Sequence, residues 1–187
     1  MKKFLIIAGC ILGIIILLFA GMMGVMYYLN LANNDYKGDY TNVLNSTDAS
    51  QKKALVVYQP SRTNEFGKIA DKLAKGLNES GYEVKISYPG KHLSADVKDY
   101  SILAFGSSVY MGNPSTALTD YMKEIKNGLS DKKIITFSIG SLEAAPELDI
   151  IKKSLSSGEI YKQVKFISGN ESNEDIAYKL GLEVGKK

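Results

Sequence analysis

The sequence predicts an α/β domain, a five-stranded parallel sheet between helices in three layers, behind one apolar N-terminal segment. Three observations predict it. Short runs rich in β-branched residues alternate, from residue 53 onward, with segments whose apolar residues recur every three or four positions. Strands separated by helices call for a parallel sheet with both faces covered. Residues 4–29 hold no charged side chain over 26 positions, enough to cross a bilayer with some tilt.

The apolar segment reads as an uncleaved single-pass anchor that meets membrane lipid through residues 4–29. A small-residue-then-cysteine pattern at Ala8, Gly9 and Cys10 resembles a lipoprotein cleavage site. Too few apolar residues precede it, and about twenty follow it, whereas a cleaved signal has an apolar stretch of about 7–15 residues before the cut. Lys2 and Lys3 precede the span, and Asp35, Lys37 and Asp39 follow it. The positive-inside bias therefore places the N-terminus in the cytoplasm and the domain outside, at the cell membrane. Residues 30–52 are polar and without periodicity, and read as a tether. The folded domain is expected over residues 53–187.

The first strand, residues 54–58, is apolar throughout, as a buried parallel strand is. A polar loop follows, and then a helix with Phe66, Ile69, Ala70, Leu73 and Leu77 on one face. Gly81 suits a left-handed cap at its end. Residues 83–88 alternate as an edge strand. Residues 94–100 carry little apolar content, so the second helix is short or irregular. Residues 101–106 form the third strand, and Pro114 heads a helix lined by Leu118, Tyr121, Met122 and Ile125. Residues 133–140 form the fourth strand, and Pro146 opens a helix with Leu148, Ile151 and Leu155. Residues 164–168 form a shorter fifth strand. Ser172 or Asn173 caps a last helix bearing Ile176, Ala177, Leu180 and Val184.

Composition narrows the chemistry. The net charge of +3 is spread without an arginine-rich stripe, so no nucleic acid is expected as a partner. The one cysteine lies in the apolar span and the one histidine, His92, lies in a polar turn. A zinc site or a nucleophile–histidine triad has too little to build from, and neither a metal nor a catalytic residue is expected. Phosphate-loop and dinucleotide-binding glycine patterns are missing. The strand ends also lack the acidic residues and the phosphoacceptor aspartate of a receiver domain.

Three loops leave the C-terminal ends of the first, third and fourth strands, where ligands collect in open α/β sheets. The first contains Ser61, Arg62, Thr63, Asn64, Glu65 and Phe66, at a helix N-terminus that attracts anions. Its hydroxyl and amide side chains suit either a phosphate or a plain helix cap. The second contains Ser107, Ser108, Val109, Tyr110, Met111 and Gly112. Its aromatic ring and thioether suit the face or edge of a planar group, or packing against the next helix. The third contains Gly140, Ser141 and Leu142.

Residues 58–70 resemble the phosphate loop of flavodoxins, and residues 99–112 resemble their second flavin loop with its strand. The similarity spans roughly residues 53–140. It implies a flavodoxin-like fold with strand order 2-1-3-4-5 and FMN as cofactor. The phosphate is then expected at residues 61–66, one side of the ring at 107–112 and the far side at 140–142. Residues 100–140 are also similar to flavodoxin-like, quinone-dependent protoporphyrinogen oxidases. Asn64 stands where the family has glycine, and Phe66 where it has threonine. The loss of that hydroxyl weakens the phosphate site by about 1.5–3 kcal/mol, so Phe66→Thr is expected to tighten FMN binding. Three functions follow from the resemblance. The first is an FMN-dependent electron carrier serving a redox partner protein, an oxidoreductase delivering electrons to a quinone is the second, and a flavin-free tethered interaction module is the third.

Overall fold

The computed structural model describes residues 2–35, 37–46, 52–125 and 128–186. The chain forms two units, Met1–Ala32 and Asn33–Lys187. Helix α1 (Lys2–Asn34) supplies the first unit and is long and apolar enough to cross a membrane. Its large apolar side chains are exposed all round, as a helix that meets lipid requires.

The second unit holds a six-stranded sheet: β1 (Thr41–Leu44), β2 (Lys53–Gln59), β3 (Glu83–Ser87), β4 (Ile102–Ser108), β5 (Lys133–Gly140) and β6 (Ile160–Ile167). The order is β1-β3-β2-β4-β5-β6. Strands β2 to β6 are mutually parallel in the expected 2-1-3-4-5 arrangement. The sixth strand corrects the expected count. β1 pairs antiparallel with β3, from Thr41 opposite Ser87 to Leu44 opposite Val84. It lies in the stretch read as a structureless tether, and it turns the predicted edge strand into an inner one. Four residues with two adjacent apolar side chains, Val43 and Leu44, show no period of their own; the pairing partner some forty residues away makes the strand. Residues 36 and 47–51 of that tether lie outside the described residues.

Helices α2 (Glu65–Glu79) and α5 (Asn173–Gly185) cover one face, and α3 (Thr116–Glu124) and α4 (Pro146–Lys153) cover the other. Alternation within β2 explains the two layers: Ala54, Val56 and Tyr58 join the first core, and Leu55 and Val57 join the second. α2 and α5 meet backbone to backbone. A methyl group on Gly76 would lie 2.3 Å from Tyr178 O, and one on Gly181 the same distance from Leu73 O. Glycine at both positions permits that approach.

Between β3 and β4 no helix forms. Asp96 N–H donates to Ser94 Oγ (3.1 Å) and Lys98 N–H to Asp96 Oδ1 (3.2 Å), side-chain bonds that take the place of helical ones. β6 starts at Ile160, earlier than residue 164, because its pairing to β5 begins at Ile134 with a register shift. The connection from β2 runs to β3 on one side, while β4 lies on the other. The topological switch point is therefore between β2 and β4. Gln59 stands opposite Ser107 there, and Ser108 opposite Ile139.

Candidate functional site

At the carboxyl ends of β2, β4, β5 and β6 lies a cleft of about 250 Å3. Ser61, Thr63 and Glu65 form one wall, Ser108, Val109 and Tyr110 the second, and Gly140 and Ser141 part of the third. Eight of the candidate residues thus converge, contributed by all three loops. Ile139 and Ser168 complete the lining. Ser168 is the last residue of the fifth predicted strand, lies just past the observed one, and carries no local signal of a site.

The first wall is the start of α2. Ser61 Oγ donates to Thr63 O (2.6 Å) and lies 3.4 Å from Thr63 Oγ1, which folds the loop on itself and keeps both hydroxyls at the cleft. Asn64 occupies the cap position, but its side chain makes no capping bond. The first helical bond is Lys68 N–H to Asn64 O, 3.1 Å. The amides of Glu65, Phe66 and Gly67 therefore have no protein acceptor among the described residues. Orphan amides at the positive end of a helix dipole attract an anion.

Phe66 differs from the sequence expectation, while Glu65 lines the cleft with its carboxylate bonded to a neighbouring element. The Glu65 carboxylate accepts from Gly169 N–H (2.9 Å) and Asn173 Nδ2 (3.3 Å), joining the first loop to the start of α5. Phe66 is fully buried and does not border the cleft with its side chain. Its ring packs edge-on to Tyr58 and at 5.3 Å from Phe137. Helical periodicity sends it inward, and the resemblance to a phosphate-loop threonine describes only its backbone position. Arg62 and Asn64 lie on the exposed outer side of the loop.

The second wall is held internally. Ser107 is buried, its hydroxyl donating to Ser108 O (2.8 Å) and accepting from Ser115 N–H (2.8 Å). Ser108 Oγ donates to Asn33 Oδ1 at 2.8 Å, and Gln59 Nε2 donates to Asn33 O at 2.9 Å. Asn33 is 3% exposed, so a residue of the predicted tether is a buried strut of this wall. Beyond it, Tyr110 and Asn113 exchange two backbone bonds across Met111 (φ 53°) and Gly112 (φ 76°). Two positive φ values in succession make a tight turn of the hairpin kind, which glycine accepts and methionine tolerates only under strain. This turn stands Tyr110 at the cleft, half-buried, and leaves Met111 exposed. Leu142 also projects into solvent and does not line the cleft.

Behind the third wall is a charged group that no sequence pattern singled out. Lys165 Nζ donates to Glu147 Oε1 (2.5 Å), which also accepts from Ser138 Oγ (2.6 Å). Glu147 is 1% exposed and Lys165 11%. Burial pushes the Glu147 carboxyl up, but the bonds from Lys165 and Ser138 outweigh it and hold the group below its ordinary value. Beside the first wall, burial drives the Tyr58 phenol far above its usual range, so it stays neutral. His92, by contrast, serves the fold. Its Nε2 lies 3.1 Å from Ser87 Oγ and its Nδ1 2.9 Å from Asp39 Oδ1, linking the segment before β1 to the end of β3.

The family model for the flavodoxin domain matches residues 55–173. Among solved structures, oxidised flavodoxin 1 from Bacillus cereus is 16% identical with a TM-score of 0.59, covering 72% of this chain and 97% of that one. The two-electron-reduced flavodoxin of Megasphaera elsdenii is 13% identical with a TM-score of 0.59, over 72% and 99%. The flavodiiron protein of Giardia intestinalis is 19% identical with a TM-score of 0.58, over 73% of this chain but 36% of its own. No curated protein matches the chain.

Proposed function

This chain belongs to the flavodoxin-domain family, and from that premise we propose that it binds FMN noncovalently and passes electrons from a membrane-anchored position. The observation that carries the reading is the uncapped start of α2. Its first three amides have no protein acceptor among the described residues, and Ser61, Thr63 and Glu65 beside them line a cleft whose second wall presents Tyr110. The residues fit the group. Amides and hydroxyls would hold the phosphate, Tyr110 and the Gly140–Ser141 backbone would border the ring, and FMN would supply the electron-transfer chemistry. A cleft of about 250 Å3 lies below the 300–1,000 Å3 usual for enclosing a drug-sized ligand. A flavin there would keep an edge outside, open to an electron partner.

Within this reading the chain performs no proton chemistry of its own. Ser61 and Thr63 bind, Tyr110 orients, and the rigid backbone of the second loop sets the ring's surroundings. Residues 4–29 would hold the domain at the bilayer, on the extracytoplasmic side if Lys2 and Lys3 remain in the cytoplasm. The anchor also favours a second reading, an oxidoreductase that passes electrons to a quinone, since quinones dissolve in the phase that the anchor enters. A redox partner protein is the alternative acceptor.

The full chain in detergent, titrated with FMN, tests the reading. Quenching of flavin fluorescence with a saturating, stoichiometric curve is expected, and Ser61→Ala/Thr63→Ala should raise the Kd about tenfold or more, two hydroxyl bonds to a charged group being lost. A chain that leaves FMN fluorescence unchanged overturns it and leaves the tethered module. Reduced, FMN-loaded protein mixed with a short-chain quinone separates the two redox readings.

A further inference from the structure

The Lys165–Glu147–Ser138 cluster lies outside the cleft lining, yet the ammonium touches its back. A methyl group built on Gly140 would lie 3.0 Å from Lys165 Nζ and 3.5 Å from Val109 Cβ, and Gly140 and Val109 both line the cleft. No closer atom approaches that point, so the pair presents its cationic end, and not the Glu147 carboxylate, to the third wall. Glycine at position 140 lets the ammonium come up to the backbone. Strand β6 is at the edge of the sheet, where a lysine stem ordinarily reaches solvent. Here it turns inward and is bonded to a carboxylate that is itself almost fully buried. A buried ion pair is a poor stabiliser compared with apolar residues of the same volume, so stability alone does not account for it.

We propose that the Lys165 ammonium, fixed against Gly140 by Glu147 and Ser138, is a positioning charge that favours the reduced over the oxidised state of a flavin in the cleft. The proposal rests on the FMN reading. Uptake of two electrons and one proton by oxidised flavin leaves one negative charge on the ring system. A cation one backbone layer away attracts that charge and does little to the neutral oxidised ring. The electrons come from an added chemical reductant in the experiment below, and from the redox partner in the proposed function. The paired Glu147 carboxylate, one hydrogen bond farther off, offsets part of that attraction, so at an effective dielectric of about 20 the pair changes such an equilibrium by about threefold.

The test equilibrates the full FMN-loaded chain in detergent with a redox dye and dithionite, and reads the two-electron midpoint potential together with the Kd of oxidised FMN. Lys165→Gln/Glu147→Gln replaces both charges with amides able to hydrogen-bond. It should reduce the preference for reduced over oxidised FMN by about threefold, roughly 15 mV downward for two electrons. Lys165→Gln alone, which leaves the carboxylate uncompensated, should lower the potential further where it folds. Neutralising the exposed Lys162–Glu183 pair on the same strand and helix α5 should leave the potential in place. If the double variant binds FMN as the parent does and the potential stays put, the charge is structural and the proposal fails while the FMN reading stands. A parent chain that binds no FMN overturns both.

Discussion

The first and second walls of the cleft treat their polar groups in opposite ways. In residues 61–66 the hydroxyls bond only within their own loop, and the first three helical amides are left open. In residues 107–113 the serine hydroxyls and the turn backbone are already spoken for: Ser107 by Ser115, Ser108 by Asn33, and the Tyr110 main chain by Asn113. The first wall therefore offers donors, while the second offers a fixed shape. A site for an anion with a flat ring attached needs one of each, because a charge is recognised by unpaired donors and a ring by preorganised surface.

The largest effect is expected where the first wall meets the core. Phe66→Thr removes a fully buried ring packed on Tyr58 and Phe137. Denaturant unfolding should show a loss of about 3 kcal/mol or more, in place of the tighter FMN binding that the family pattern alone suggests. A stable variant with improved affinity would instead put residue 66 at the phosphate and erase the distinction between wall and core.

The third wall depends on charge, and pH reads it. Because the Glu147 carboxyl is held below its ordinary value in the folded chain, its contribution is complete above the unfolded carboxyl value. It is lost as pH falls through the lower, folded value. Glu147→Gln should cost about 3 kcal/mol near neutrality by leaving Lys165 unpaired, and should flatten the acid limb of the stability profile. An unchanged acid limb would mean that the pair is not formed in solution.

Asn33→Ala probes the second wall. It leaves the Ser108 hydroxyl without its acceptor in a buried setting, and should cost about 1–3 kcal/mol. It should also raise the Kd for FMN by loosening Tyr110, whereas Ser61→Ala, on the first wall, should weaken FMN and leave stability within about 0.5 kcal/mol. Equal effects of the two substitutions on stability would break the contrast between an open and a closed wall.

Much of this was legible in the chain because it is local. Strands β2, β4 and β5 are short apolar runs, α2 has its apolar residues at helical spacing, and the three loops follow from strand ends. Phe66 shows where two local signals conflict. Periodicity placed it on the inner face of α2 and the motif placed it at the phosphate, and burial decides for periodicity. Residues 41–44 and Asn33 were opaque because the partners that order them, β3 for the first and the ends of β2 and β4 for the second, are distant in sequence. Lys165 was opaque for a similar reason: a lysine in a strand looks like a solvated edge until a carboxylate on a different element is found beside it.

By itself the amino-acid order determined an apolar span, the alternation that makes a parallel sheet between helices, and the loops at which a ligand could gather. Those are properties of near neighbours, set by side-chain period and turn chemistry. Only the tertiary structure decided which polar groups remain unpaired, which aromatic ring fills the core, and that an ammonium stands behind Gly140. Such outcomes depend on which distant residues arrive at the same place, and burial makes each pairing too costly to leave incomplete.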